Sequence, residues 1–186
     1  MNKLNNKFDN KIADFANMDF RVYIKELDEN NLEELVECAN DKNVSEGVNS
    51  NLIPYPFTKM NAKIIIERNK LGIEKHFGIF LKNKNKLIGN IVIFNRNGDN
   101  AEIGYWINSN YTGKRYAKEA IILLLDLCLN NLNLKKIYAR IRRSNKFSIR
   151  LVKSLNFIEE NLLNENLGGD AMDIVFSLQI SKIVFH

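Results

Sequence analysis

The apolar positions along the chain follow two different periods. In residues 1–17, Leu4, Phe8, Ile12 and Phe15 recur at helical spacing, so this stretch is expected to be an amphipathic helix or a frayed arm. Phe20–Leu27 alternates, with Phe20, Val22 and Ile24 on one face, and predicts a strand. Asp28 can accept backbone N–H groups at a helix start, and Leu32, Leu35, Val36 and Ala39 then form the buried stripe of a helix ending near Ala39. Pro54 and Pro56 each disfavour helix at the preceding residue, so Ile53–Phe57 is extended or turned. Thr58 caps a further helix to about Leu71, and Gly72 ends it.

From His76 the period becomes two. Phe77–Leu81, Lys86–Phe94 and Ala101–Asn108 read as an antiparallel meander, with turns at Asn83-Lys84-Asn85 and Asn97-Gly98-Asp99. A helix over Arg115–Asn131 places Ala117, Ala120, Ile121, Leu124 and Cys128 on one face, and Ile122, Leu123, Leu125 and Leu129 cover much of the rest. Such a helix is mostly buried. Lys135–Arg142 is a strand, Asn145–Leu155 a short helix, and Phe157–Leu162 and Met172–Ile180 two closing strands. Asn156 stands where a helix ends in a left-handed residue, which Asn tolerates. This order predicts an α+β fold, a mixed, mostly antiparallel central sheet flanked by helices.

The length, 186 residues, suits one domain over 20–180, with an N-terminal arm at 1–19 and a tail at 181–186. With 45% hydrophobic and 26% charged residues, the chain can build a core. Its longest apolar stretch, Ala120–Leu125 and Leu127–Leu129, is broken by Asp126 and falls short of the ~20 residues of a membrane span. The first residues lack the apolar block of a secretion signal, so a cytoplasmic location is expected. Cys38 and Cys128 lie in separate apolar segments with no metal-ligand spacing, and His76 and His186 are the only histidines, which argues against metal and Ser-His-Asp chemistry.

One crossover carries candidate chemistry. The strand Ala101–Asn108 leads through Asn110-Tyr111-Thr112-Gly113-Lys114-Arg115-Tyr116-Ala117 into the buried helix, and the unpaired N–H groups of such a join attract phosphate. Lys114 and Arg115 add positive charge at the rim. Ala101-Glu102-Ile103-Gly104-Tyr105-Trp106-Ile107, Tyr111–Ala120, Asn145-Lys146-Phe147-Ser148-Ile149-Arg150 and Leu155-Asn156-Phe157 together resemble the GNAT N-acetyltransferases, specifically their RimJ/RimL-like branch. The resemblance runs from about Phe20 to Leu178.

The resemblance implies transfer of an acetyl group from acetyl-coenzyme A to a primary amine, on a protein N-terminus or a small molecule. It implies that Thr112, Gly113, Lys114, Arg115, Tyr116 and Ala117 cradle the coenzyme's pyrophosphate, and that the strand carrying Tyr105, Trp106 and Ile107 pairs with its pantetheine arm. Asn145 matches an Asn that hydrogen-bonds the same arm. Glu102 is the candidate base, against the alternative of an exposed sheet carboxylate without a role, and Ser148 matches a Ser that protonates the departing thiolate, against a helix-start Ser serving the backbone. The acceptor is left open, with a ribosomal protein among the candidates, and so is the oligomeric state.

Two positions depart from the family pattern. Thr112 stands where Arg or Gln is usual, and Arg115 stands where the motif has Gly. A Cβ at Arg115 restricts phosphate approach and any positive φ, so the expectation is an Arg in helical conformation whose guanidinium grips phosphate instead. Lys135, Lys136, Arg140, Arg142, Arg143, Lys146, Arg150 and Lys153 also form a cluster without an intervening acid, where the formal charge of +5 is concentrated. Cofactor phosphate, an acidic or RNA surface, and plain solvent are its possible partners. The rival function is therefore a catalytically weakened module of the same fold that contacts nucleic acid or protein through this stripe.

Overall fold

The computed structural model describes residues 19–48, 53–160 and 173–180. The expected N-terminal arm or helix, the ends of the two closing strands and the tail lie outside the described residues. Strands β1 (Val22–Glu26), β2 (Lys75–Leu81), β3 (Lys86–Asn97), β4 (Asn100–Ile107), β5 (Lys136–Arg142), β6 (Ile158–Glu159) and β7 (Asp173–Gln179) form one sheet in the order β1-β2-β3-β4-β5-β7-β6. Every neighbouring pair is antiparallel except β4 and β5, which are parallel. The expected α+β architecture is thus present.

Turn chemistry sets the meander. Gly98 takes φ +60° between β3 and β4, and Asn97 pairs with Asn100, so the turn is as tight as its sequence predicts. Gly89 governs how closely β3 and β4 approach: a Cβ there would lie 2.9 Å from Ile107 Cδ1 and closer still to the Trp106 carbonyl oxygen. No other residue lets the far end of β4 lie where it does.

Among the described residues, five helices cover the sheet: α1 (Leu32–Ala39), α2 (Lys42–Gly47), α3 (Lys59–Lys70), α4 (Tyr116–Asn130) and α5 (Lys146–Ser154). Thr58 caps α3 as expected, its hydroxyl accepting from the Asn61 N–H, an arrangement worth about 1 kcal/mol. Asp28 instead caps a short 3-10 turn, Glu29–Asn31, that feeds α1. The buried residues of α1 are Leu35, Cys38 and Ala39, while Leu32 and Val36 are only half-buried, so its inner face is rotated toward Cys38. Helix α2 has no counterpart in the sequence reading. Asn156 ends α5 at φ +65°, as expected.

Two apolar clusters result among the described residues. Helices α4 and α5 pack on one face through residues such as Ile121, Leu124, Cys128, Val152 and Leu155 against Ile103, Ile137 and Phe176. The other face carries Leu35, Ala39, Val44, Phe57 and Ala62 from the α1–α3 side against Phe80, Leu87 and Trp106. Each fully buried Leu, Ile or Phe contributes roughly 1.5–3 kcal/mol. Burial pushes the Cys38 and Cys128 thiols up to about 12, which leaves both as packing residues. No helix among the described residues is long and apolar enough to cross a membrane.

Candidate functional site

The parallel pairing of β4 with β5 stops at Ile103↔Ala139, although β4 continues to Ile107 and β5 to Arg142. The two strands therefore diverge into a V at their C-terminal ends. The Asn108 N–H donates to the Ile88 carbonyl, which puts Glu102, Gly104 and Trp106 in the positions bonded to β3. By alternation, Tyr105 and Ile107 turn their N–H and C=O groups toward the open side of the V. That edge of β4 is recessed inside the sheet and available to an extended ligand.

At the mouth of the V, the chain from β4 to α4 forms a cradle. Asp41 caps α2 by accepting from Asn43 N–H and also accepts from Ser109 N–H at 2.6 Å, fixing the turn after β4. Burial pushes the Asp41 carboxyl up, but hydrogen bonds from Ser109, Asn43 and Val44 outweigh it and hold the group below the ordinary carboxylate range. Thr112 Oγ1 donates to the Ser109 carbonyl, so its side chain closes the turn instead of reaching outward. Gly113 has φ +75° and Arg115 φ +67°, and this spacing of left-handed residues makes neighbouring N–H groups converge.

Arg115 corrects the sequence reading. It is the left-handed residue immediately before α4, not a helical one, and it gives the helix no side-chain cap. The backbone thus takes a conformation that favours glycine, at the expense of strain in an L-residue. The first bond into the helix is Glu119 N–H to Arg115 O, so the N–H groups of Tyr116, Ala117 and Lys118 have no partner within the helix. Together with the helix dipole, they favour an anion at this point.

A second feature of the cradle escaped the sequence. Glu119, buried in the first turn of α4, accepts from the Arg21 backbone N–H at 2.8 Å and from Arg21 Nε at 2.9 Å. The same guanidinium donates to the Lys114 carbonyl at 2.7 Å and lies 4.9 Å from the Tyr116 ring centre. The hydrogen bond to Glu119 raises the Arg21 pKa above its ordinary value. One arginine before β1 therefore holds both the cradle and the helix behind it. The sequence signal was an acid among the apolar positions of α4, but its partner stands 98 residues away.

The two faces of the V differ. Glu102 lies on the face carrying Trp106, where its carboxylate accepts from Asn95 Nδ2 at 3.2 Å and pairs with Arg140 Nε at 3.4 Å. It is buried where the alternative reading had it exposed, and Arg140 and Asn95 hold it there. Trp106 is also buried, with its indole N–H unpartnered. On the opposite face Asn145 caps α5, accepting from Ser148 N–H at 3.0 Å while its Nδ2 donates to the Gly47 carbonyl. Both ends of the Asn145 amide are used within the chain, and Ser148 is not the cap. Burial pushes the Tyr105 phenol up to about 12, and the nearby Ser148 hydroxyl counters it slightly. The pair misses hydrogen-bond geometry, and the Tyr105 hydroxyl is left unpartnered.

Four of the eight residues of the basic cluster pair with acids that lie outside the run 135–153. Lys135 pairs with Asp99, Lys136 with Glu160, Arg140 with Glu102 and Lys153 with Glu159. Alternation on β5 is as expected, with Ile137, Ala139 and Ile141 buried and Tyr138, Arg140 and Arg142 on the other face. Among the described residues, no group of three or more His, Cys, Asp or Glu side chains could hold a metal ion.

A ligand with a diphosphate, a thin extended arm and a polar atom near Ser148 fits these features: uncapped helix donors, a recessed strand edge and an orphaned buried hydroxyl. Comparison with known proteins agrees. Residues 21–158 match the model of the acetyltransferase (GNAT) domain. An uncharacterized N-acetyltransferase, p20, from Bacillus licheniformis is 32% identical over 167 residues, covering 85% of this chain and 92% of that protein. Two solved structures share the fold. The spermidine N-acetyltransferase of Vibrio cholerae, in complex with CoA and spermine, has a TM-score of 0.68 at 21% identity over 86% of this chain and 95% of that one. The ribosomal-protein-S5-alanine acetyltransferase of Vibrio fischeri has a TM-score of 0.64 at 21% identity over 86% and 93%. The chain belongs to the GNAT acetyltransferase family and is an acetyl-coenzyme A-dependent N-acetyltransferase.

Proposed function

We propose that the acceptor is a monoamine with a neutral or acidic remainder, foremost the amino terminus of a protein or peptide, as in the RimJ/RimL-like branch. The observation that carries this reading is the charge of the acceptor-side wall. Glu102 and Tyr138 are register partners on one face of the sheet, and Arg140 and Arg142 follow on β5. A polyamine would bring its remaining ammonium groups against the Arg142 guanidinium, Arg140 being paired with Glu102, whereas an N-terminal residue brings one amine and a carbonyl.

Acetyl-coenzyme A supplies the acetyl group as a thioester. The cradle N–H groups of Gly113–Ala117 hold its diphosphate, with Lys114 and Arg115 at the rim. Backbone groups of Tyr105 and Ile107 pair with the extended arm, and a β4 N–H polarises the carbonyl. Glu102, directly or through water, receives the proton lost by the attacking amine, and Arg140 and Asn95 hold its carboxylate in place. Ser148 donates a hydrogen bond to the leaving sulfur. A mass-read acetyl-transfer screen tests the acceptor: short peptides beginning in Ser or Ala should be modified faster than spermidine, and a clear preference for spermidine would refute the proposal.

A further inference from the structure

Tyr105 carries a hydroxyl that the fold itself does not use. The residue lies on β4 just beyond the last pair with β5, packed against the core cluster shared by α4 and α5. Its phenolic oxygen is shut off from water and has no hydrogen-bond partner. A buried polar atom left in this state is costly, and phenylalanine would fill the same space without the penalty. Among the described residues, the polar side chain that acts on this hydroxyl is Ser148, in the first turn of α5.

Ser148 is held in a way that leaves its own hydroxyl free to turn. Its backbone N–H is occupied by Asn145, which performs the capping and is in turn tied to Gly47 at the end of α2. A hydroxyl has one hydrogen to donate and can accept two. Once Tyr105 donates to Ser148 Oγ, the Ser148 hydrogen must point elsewhere, and Tyr105 itself stands on the stretch of β4 that borders the gap with β5. Because burial keeps the phenol protonated up to about 12, Tyr105 remains a donor throughout the working pH range.

We propose that Tyr105 is a positioning residue that aims the Ser148 hydroxyl at the sulfur leaving the acetyl group. The proposal rests on the reading of Ser148 given above. In the transfer, the bond from amine nitrogen to acetyl carbon forms and the carbon–sulfur bond breaks, its electron pair remaining on sulfur. The amine proton passes toward Glu102. Neither hydroxyl surrenders its proton, because a phenol near 12 and an alcohol are both weaker acids than a thiol near ~8.5. The sulfur is held as a thiolate by the Ser148 O–H and is protonated by solvent on release.

The test compares Tyr105→Phe, Ser148→Ala and the double variant by two readouts. The first is the pKa of the thiol of enzyme-bound coenzyme A, titrated by the ultraviolet absorbance of the thiolate. The second is steady-state turnover, with melting curves of the free proteins as a control. Tyr105→Phe should raise the bound-thiol pKa by roughly 0.7 units and lower kcat about fivefold, the loss of one neutral hydrogen bond, with KM for acetyl-coenzyme A unchanged. It should melt no lower than the parent, and the double variant should be no worse than Ser148→Ala. If Ser148→Ala shifts the thiol and Tyr105→Phe does not, the inference is wrong and the role of Ser148 survives. If Ser148→Ala itself leaves the thiol unmoved, the reading of Ser148 fails and takes the inference with it. A shift by Tyr105→Phe that persists in the Ser148→Ala background would make Tyr105 a direct donor and overturn its positioning role.

Discussion

Arg115 offers a measurement in which backbone strain and charge can be separated. An L-residue in left-handed backbone lies roughly 1–2 kcal/mol above its right-handed state. Glycine escapes that cost but loses roughly 0.5–1 kcal/mol through the greater freedom of its unfolded chain. With φ at +67° and no capping bond from the side chain, Arg115→Gly should therefore stabilise the free protein by about 0.5–1 kcal/mol. In a domain of this length, that raises the melting midpoint by about 1–4 °C. Arg115→Ala keeps the Cβ and its strain, so it should show no such gain. Coenzyme A affinity, measured by calorimetry on the same three proteins, then divides the remaining effects. The step from Ala to Gly reports the Cβ near the phosphate, and the step from Arg to Ala reports the guanidinium. Identical melting of the Gly and Ala variants would refute the strain argument.

Three further outcomes follow from the same geometry. Arg21→Met should raise KM for acetyl-coenzyme A far more than KM for the amine, because the guanidinium holds the Lys114 carbonyl and Glu119 at the cradle; an equal rise in both would make Arg21 a general stability residue. Glu102→Gln should depress turnover chiefly below the pKa of the acceptor amine and converge on the parent above it, and an unchanged pH–rate profile would pass the base role to solvent. Glu74 is held below its ordinary 4.5 first by the hydrogen bond from Arg68, with burial opposing and His76 assisting. Its folded value lies below its unfolded one, so it adds stability above about pH 4.5 that is lost as pH falls through the lowered value. Glu74→Gln should flatten the loss of urea resistance in acid, and a slope equal to the parent's would exclude this source.

What the sequence revealed was governed by local causes. The Asn97–Asp99 turn, the Thr58 cap, the left-handed Asn156 and the alternation along β5 are each decided within a few residues, and each appears as expected. Helix α2 escaped because Val44 is its one long apolar residue; it exists because Asp41 caps it and at the same time binds Ser109 across the fold. The clamp of Arg21 on Glu119 and the pairing of Lys135, Lys136 and Arg140 with acids depend on partners brought together by sheet order. For the same reason the sequence offered the candidate base Glu102 without a partner, and the parallel register set Arg140 beside it. Arg115 failed in the opposite direction. Propensity argued for right-handed backbone, and the requirements of the loop prevailed.

The divergence of β4 from β5 has a consequence for solubility as well as chemistry. An unpaired strand edge is a standing invitation to another chain, and proteins ordinarily blunt such edges at the rim of a sheet with charge or irregularity. Here the unsatisfied stretch at Tyr105–Ile107 lies in the interior of the sheet, between β5 and the helices on either face. A foreign strand carries side chains on both of its faces, which would meet the helices packed on either side of the sheet, whereas a bare chain of methylenes and amides carries none. The fold thus keeps a sticky backbone surface ready for its small partner while hiding it from other proteins.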